Sequence, residues 1–423
     1  MIAALPNSKT NHLSRKQQLR ESVLLFFCDP IHTECFRLFR IAPAEWKELL
    51  HWLDTSGLAL YFFDRLEELN LVEILPPHIL ARLEQSLEQN SERIEAMIVE
   101  SSSIQLRLQS LGVTYAVLKG FSLWPASFPR LELRSQLDLD FLVAEEYAAL
   151  ARKVLEEYGY ELKAMSGRSW EFKANAGCTS SLRDLYKTGK TRSAELHLEV
   201  LASRETSLLS RLEWVSFRAI SMPVLSPVDL FLGQALHLYK HLLSELSRTA
   251  HLIEFRRHVI ARYDDAFFWR QLRNQAEDKT VVCMQLGIVL HLTSLIMGTF
   301  APEALTLWTS DRLPAGVRLW LDRYGHRIVL AAFPGSKLYL LLQKELEAAG
   351  VPARRSRLVS LIPRRLPPAI THRVEGESLA TTIRRSLREL RFIAFRLRFH
   401  SVEGARYLLE STLWRQYRNR LLQ

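Results

Sequence analysis

After Pro76-Pro77 the chain places Leu80, Leu83, Leu87, Ile94, Ile98, Ile104, Leu108 and Leu111 mostly at three- and four-residue steps. Steps of that size return to one face of an α-helix, so the pattern predicts a long amphipathic helix ending at Gly112. Upstream, Trp46, Leu49, Leu50 and Leu53 repeat at helical spacing behind Pro43, and residues 1–111 read as helical. The period then changes. Val113–Leu118 is rich in β-formers, and Leu137–Val143 is apolar enough for a buried strand. Glu145–Tyr158 predicts a helix stopping at Gly159, and a short helix fits Gly120 to about Ala126. Tyr160–Ala164 and Ser169–Ala174 read as strands about a Gly167 turn, with a weaker strand at Leu182–Tyr186. Ala194–Val200 alternates, with Leu196, Leu198 and Val200 on one side and Glu195, His197 and Glu199 on the other.

From Ser226 the pattern is helical again. Ser226-Pro227-Val228-Asp229 supplies a serine cap, a proline at the first helical position and an acid near the N-terminal dipole. Helical periodicity continues to about Glu347. A proline-rich hinge at Pro363–Pro368 then precedes an arginine-rich helical stretch from Thr381. The expected fold class is α+β, a mixed-sheet core flanked by N- and C-terminal helical regions. The expected segments are 1–111 (helical), 112–225 (core), 226–350 (helical) and 351–423 (basic tail). No internal repeat interrupts this order.

Charge changes the picture only at one end. The chain of 423 residues carries a formal charge of +10, but Val351–Gln423 alone holds 16 Arg and 5 Glu. The preceding 350 residues hold 40 basic and 41 acidic side chains and are nearly neutral. A basic tail suits an anionic partner: RNA, an acidic protein or a membrane surface. The spacing of Ile383, Leu387, Leu390, Ile393 and Leu397 equally suits docking on the protein's own helices. Cys28, Cys35, Cys178 and Cys283 form no C-x-x-C pair and fit a reducing compartment, so a cytoplasmic protein is expected. The N-terminus lacks an apolar signal core, and runs such as Val23–Cys28 and Ile328–Phe333 are too short to span a bilayer.

The chemistry concentrates between Tyr115 and Val143. A strand ending in Leu118 leads into Lys119-Gly120-Phe121-Ser122, and the second strand carries Asp138 and Asp140. Residues two apart on a strand share a face and lie about 6.6–6.8 Å apart along it. Two carboxylates so placed can converge on divalent cations, and Mg²⁺ usually binds through one or two carboxylates plus substrate phosphates. Gly120 allows close backbone approach to a phosphate, and Lys119 and Ser122 can add a charge and a donor. The segment is not a P-loop, because G-x-x-x-x-G-K-[ST] is absent. Glu195 offers a third acid, His197 shares its face, and Glu199 is a rival for the acid role. His237 and His241 stand one helical turn apart, but two ligands alone make a poor metal site.

Taken in order, these parts resemble the polymerase-β-type nucleotidyltransferase superfamily, and in particular a bacterial family of uncharacterised nucleotidyltransferases. The features carrying the resemblance are Leu118-Lys119-Gly120, then Arg134 followed by Asp138-Leu139-Asp140-Phe141-Leu142-Val143, the Gly159-Tyr160 turn, and Glu195-Leu196-His197. It covers about Trp46 to Trp269. The resemblance implies transfer of a nucleoside monophosphate from an NTP to a hydroxyl acceptor, with release of pyrophosphate. It implies Asp138, Asp140 and Glu195 as catalytic acids and ligands of Mg²⁺ or Mn²⁺. Lys119, Gly120, Ser122, Arg134 and His197 would attend the nucleotide, and the acceptor could be a small molecule, a sugar, a protein or an RNA end. The alternative is a non-catalytic nucleotide-binding or regulatory module whose tail docks on RNA, a membrane or a partner protein. The chain departs from the wider superfamily at Phe121, where a second small residue is usual, and at Glu195, where Asp is common.

Overall fold

The computed structural model describes residues 13–174, 185–188, 192–200, 207–242, 248–332, 334–352, 356–361 and 379–422. Helices α1 (Arg15–Leu25), α2 (Pro43–Ser56), α3 (Ala59–Glu68) and α4 (Pro77–Ser110) come first. Strands β1 (Tyr115–Leu118) and β2 (Asp138–Ala144) follow, then α5 (Ala148–Glu157). The sheet continues with β3 (Glu161–Ser166), β4 (Ser169–Ala174), β5 (Arg192–Glu199), β6 (Leu212–Phe217) and β7 (Ile220–Leu225). The remainder is helical: α6 (Pro227–Leu242), α7 (Ala250–Ala261), α8 (Ala266–Ala276), α9 (Thr280–Met297), α10 (Glu303–Thr306), α11 (Ala315–Val329), α12 (Tyr339–Ala348), α13 (Arg357–Leu361) and α14 (Leu379–Leu422).

The seven strands form one mixed sheet in the order β3-β4-β5-β2-β1-β7-β6. β2 runs antiparallel to β1 and parallel to β5, and β1 runs parallel to β7. Alternation sorts the central strands by face. Leu139, Phe141, Val143, Ala194, Leu196 and Leu198 enter the main hydrophobic core with the helices. On the opposite face Ala116, Leu142, Ala144, Leu209 and Leu225 make a small second cluster. Asp138 and Asp140 share the phase of Leu142, so they emerge on that thinner side.

The long helix closes as its sequence predicts, with Pro77 in its first turn and Gly112 at φ 67° just past its end. Its buried stripe also includes polar positions. Asn90 is fully buried and donates to the carbonyls of Glu132 and Arg134, fixing the loop that enters β2. The weaker strand expected at Leu182–Tyr186 and the Pro363–Pro368 hinge fall at least partly outside the described residues.

The flanking helices close on each other as well as on the sheet. One core cluster runs from Leu19 to Trp414. Arg20 donates to the Leu330 carbonyl at 2.7 Å, Trp52 to Ala331 at 3.2 Å and Thr249 to Val329 at 3.1 Å. Helix α9 is long and apolar enough to cross a membrane by length and composition, a run the sequence reading passed over. Most of it is packed inside the protein, where Leu286, Ile288, Val289, Leu290 and Leu292 are buried. In the tail, Ile383, Leu387, Leu390 and Leu397 are exposed, so docking on the protein's own helices does not run through them. The contacts lie further along α14, where Trp414 and Arg418 both reach Glu345 of α12, and Tyr324 and Arg327 of α11 reach Glu410.

Candidate active site

Strand register assembles the site. Asp140 lies opposite Leu118 on β1 and opposite Glu195 on β5. The residue after Leu118 is Lys119, so three neighbouring strands deliver a lysine, an aspartate and a glutamate to one spot. Lys119 Nζ donates to Asp140 Oδ1 at 2.7 Å. His197 Nε2 lies 2.9 Å from the same oxygen and 3.3 Å from Glu195 Oε2. Ligand atoms of Asp140, Glu195 and His197 all fall within 4.8 Å of one another.

The electrostatics separate the two aspartates. Burial opposes ionisation of Asp140, but hydrogen bonds from His197 and Lys119 outweigh it and hold its carboxyl below the usual value. Asp140 therefore accepts, and His197 donates from Nε2. Burial and the repulsion of Asp140 push Asp138 up to about 6. The hydrogen bond from His197 lowers Glu195. Burial works against the charge on His197, yet its bonds to Asp140 and Glu195 raise it, and Lys119 is raised by Asp140 in the same way.

The turn after β1 is strained. Lys119 sits at φ 51°, ψ −155°, a region other residues leave largely to glycine. Gly120 has φ 41°, and a Cβ there would stand within 2.6 Å of Gln136 Cδ. The positive φ favours glycine, and a Cβ would also displace the buried Gln136 amide, which donates to the Asp138 carbonyl at 2.9 Å. Ser122 is buried, and its hydroxyl donates to the Lys119 carbonyl at 2.7 Å, closing the turn. The ring of Phe121 is buried against Phe217, 5.5 Å between centroids, so the bulky residue after the glycine is spent on the core.

Arg134 is held from the helical side. Its Nε donates to Glu254 Oε1 of α7 at 3.0 Å, and Tyr61 of α3 donates to the same oxygen at 3.0 Å. Arg248, just before α7, donates to Ser135 at 3.0 Å. Burial and the charge of Arg134 both depress Arg248, while Glu254 and then Asp138 draw it the other way. Glu199 is engaged elsewhere, accepting from Ser207 Oγ and from the backbone N–H groups of Leu208 and Leu209. Of the two candidate glutamates on β5, only Glu195 stands beside Asp140. Sequence reasoning missed Gln136, Arg248 and the role of Glu254. Gln136 is two residues before Asp138 on the strand entry, which was the available signal. Arg248 lies over a hundred residues away and had none.

The donor set suits a hard divalent cation. Asp140 and Glu195 offer oxygen ligands beside the His197 nitrogen, and Asp138, two residues from Asp140, carries like-charge repulsion that such a cation would relieve. Lys119 stands on Asp140, where it would compete with the metal or move to a phosphate.

Residues 42–298 match the model of a protein family described as uncharacterised nucleotidyltransferase. No curated protein matches the chain in sequence. Among solved structures, an antigenic nucleotidyltransferase-like protein from Paracoccidioides brasiliensis is 13% identical, with a TM-score of 0.29. That alignment covers 49% of this chain and 94% of the other, a likeness too slight to carry an argument.

Proposed function

The chain belongs to the family of uncharacterised nucleotidyltransferases, and from that premise we propose that it moves a nucleoside monophosphate from an NTP to a hydroxyl acceptor. The acceptor oxygen forms a bond to the α-phosphorus, the bond from that phosphorus to the bridging oxygen breaks, and pyrophosphate leaves. The observation that carries the reading is the register Leu118↔Asp140↔Glu195, which gathers Lys119, Asp140, Glu195 and His197 with Asp138 two residues away.

Asp138, Asp140 and Glu195 would hold Mg²⁺ or Mn²⁺. The cation would supply charge neutralisation for the phosphoryl group and the leaving pyrophosphate. Lys119, Arg134 and Arg248 supply positive charge for the phosphates, and bringing in an anion relieves the repulsion between the two guanidiniums. Glu195, kept ionised by His197, accepts the proton of the acceptor hydroxyl. The strained Lys119–Gly120 turn fixes the lysine against the carboxylates before substrate arrives. The acceptor is a small molecule, a sugar, a protein or an RNA end, in a cytoplasmic setting.

A second reading, nucleotide binding without turnover, draws on Asp140. Its Oδ1 already accepts from Lys119 and His197, a closed arrangement that can be purely structural. Incubation of the full chain with Mg²⁺ or Mn²⁺ and each α-labelled NTP separates the two. Binding with label transfer and pyrophosphate release, abolished in Asp138→Asn/Asp140→Asn, supports catalysis. Binding without pyrophosphate release against all four acceptor classes supports the second reading. Binding that the double substitution leaves unchanged removes both from this site.

A further inference from the structure

On the helical side, α6 and α7 bring together three histidines that no step above uses. His237 and His241 lie one turn apart on α6, and α7 supplies His251. Their ring centroids are 4.4, 5.4 and 5.2 Å apart, and one ligand nitrogen from each falls within 4.8 Å of the others. His241 Nε2 stands 3.0 Å from His237 Nε2. His251 is buried, and its Nδ1 has no hydrogen-bond partner.

We propose that His237, His241 and His251 form a binding site for a transition-metal cation of the Zn²⁺ class, with its fourth position left to an oxygen ligand. Zinc at about 2.0–2.1 Å from each nitrogen sets tetrahedral nitrogens roughly 3.3 Å apart. The α6 pair already stands near that spacing, and the third nitrogen has at most about 1.5 Å to close. Three imidazoles without a carboxylate select zinc, cobalt, nickel or copper over magnesium and calcium. This all-nitrogen donor set therefore differs in kind from the mixed carboxylate and imidazole set on β2 and β5. The buried Nδ1 of His251 has no hydrogen-bond partner, and coordination through it would satisfy that nitrogen. Three protein ligands with an open fourth position are the arrangement of zinc sites that bind water or substrate. The cluster is near enough to feel Lys119, Asp140 and Arg134, so a cation here adds to the field drawing an anion toward the sheet.

The proposal does not depend on nucleotidyl transfer, and its test reads metal directly. Full-length protein freed of metal with a chelator is titrated calorimetrically with Zn²⁺, and with Co²⁺ by visible absorption. One equivalent of Zn²⁺ is expected, with Co²⁺ giving the intense ligand-field bands of a four-coordinate site. His237→Gln and His251→Gln, chosen to limit packing loss and checked by circular dichroism, are each expected to weaken Zn²⁺ by at least about tenfold, the lower bound for losing even an outer-shell partner. Asp138→Asn/Asp140→Asn is expected to leave it unchanged. Zinc affinity unaltered in His237→Gln/His251→Gln overturns the proposal. So does zinc affinity lost in the aspartate variant and kept in the histidine variants, which would put the cation at Asp140, Glu195 and His197.

Discussion

At the scale of single residues, the site is shaped by positions whose burial contradicts their chemistry. Gly120 is one. Adding a methyl group meets the Gln136 amide and places a Cβ at φ 41°. Gly120→Ala is expected to destabilise the chain by about 1–3 kcal/mol in urea unfolding. Adding Gln136→Ala should recover only the steric share, and full recovery would show that backbone strain contributes nothing. Asp138 is another. An aspartate in an unfolded chain ordinarily titrates near 3.8, and burial and the charge of Asp140 push Asp138 up to about 6 in the fold. Between those values the folded chain keeps a proton that the unfolded chain has lost. The associated stability is therefore full below pH 3.8, falls as pH rises and is gone above about 6. Relative to Asp138→Asn, wild type should lose up to about 2–3 kcal/mol across that window. Saturating Mg²⁺ should flatten the slope, and equal slopes with and without it would count against a cation at Asp138.

At the scale of elements, what was legible in the sequence followed from local periodicity. The α4 stripe, the Asp138–Ala144 strand and the alternation of β5 were readable because each side-chain pattern repeats within its own segment. The neighbours of each carboxylate were not readable, since register is set by pairing across more than fifty residues: Asp140 meets Glu195, and Glu199 caps the turn near Leu209. The tail shows the same limit. Its apolar spacing was visible from Ile383 to Leu397, yet Ile383, Leu387, Leu390 and Leu397 are exposed and the anchor is Trp414, whose Nε1 donates to Glu345 at 3.0 Å. A helix of 44 residues can present different faces to different neighbours along its length. Trp414→Ala should cost about 3–5 kcal/mol and open α14 to proteolysis, whereas Leu390→Ala should stay within about 0.5 kcal/mol. Comparable losses for the two would mean that the exposed half of α14 is packed in solution.

At the scale of the molecule, the question is whether the sheet can stand without its helices. Segment 112–225 contains every strand among the described residues, and the change of side-chain period at its ends makes it a natural unit. Its core-facing residues argue otherwise. Val117, Phe141, Val143, Leu196 and Leu198 share one cluster with α1, α4, α6 and α9. Arg134 is paired with Glu254, which lies outside the segment and itself accepts from Tyr61 of α3. Excising the segment strips that cover from the sheet and leaves Arg134 without its partner. Losing one member of a buried pair typically costs about 3–5 kcal/mol, comparable to much of a domain's net stability. Expressed alone, 112–225 is expected to bind a hydrophobic dye, lack near-ultraviolet dichroism and unfold without a sharp transition. A cooperative urea transition would show that the helices are accessories to a self-sufficient core. If cooperativity is absent, Glu254→Gln in the full chain should lower stability by about 3 kcal/mol, because α7 then completes the sheet's charge balance as well as its packing.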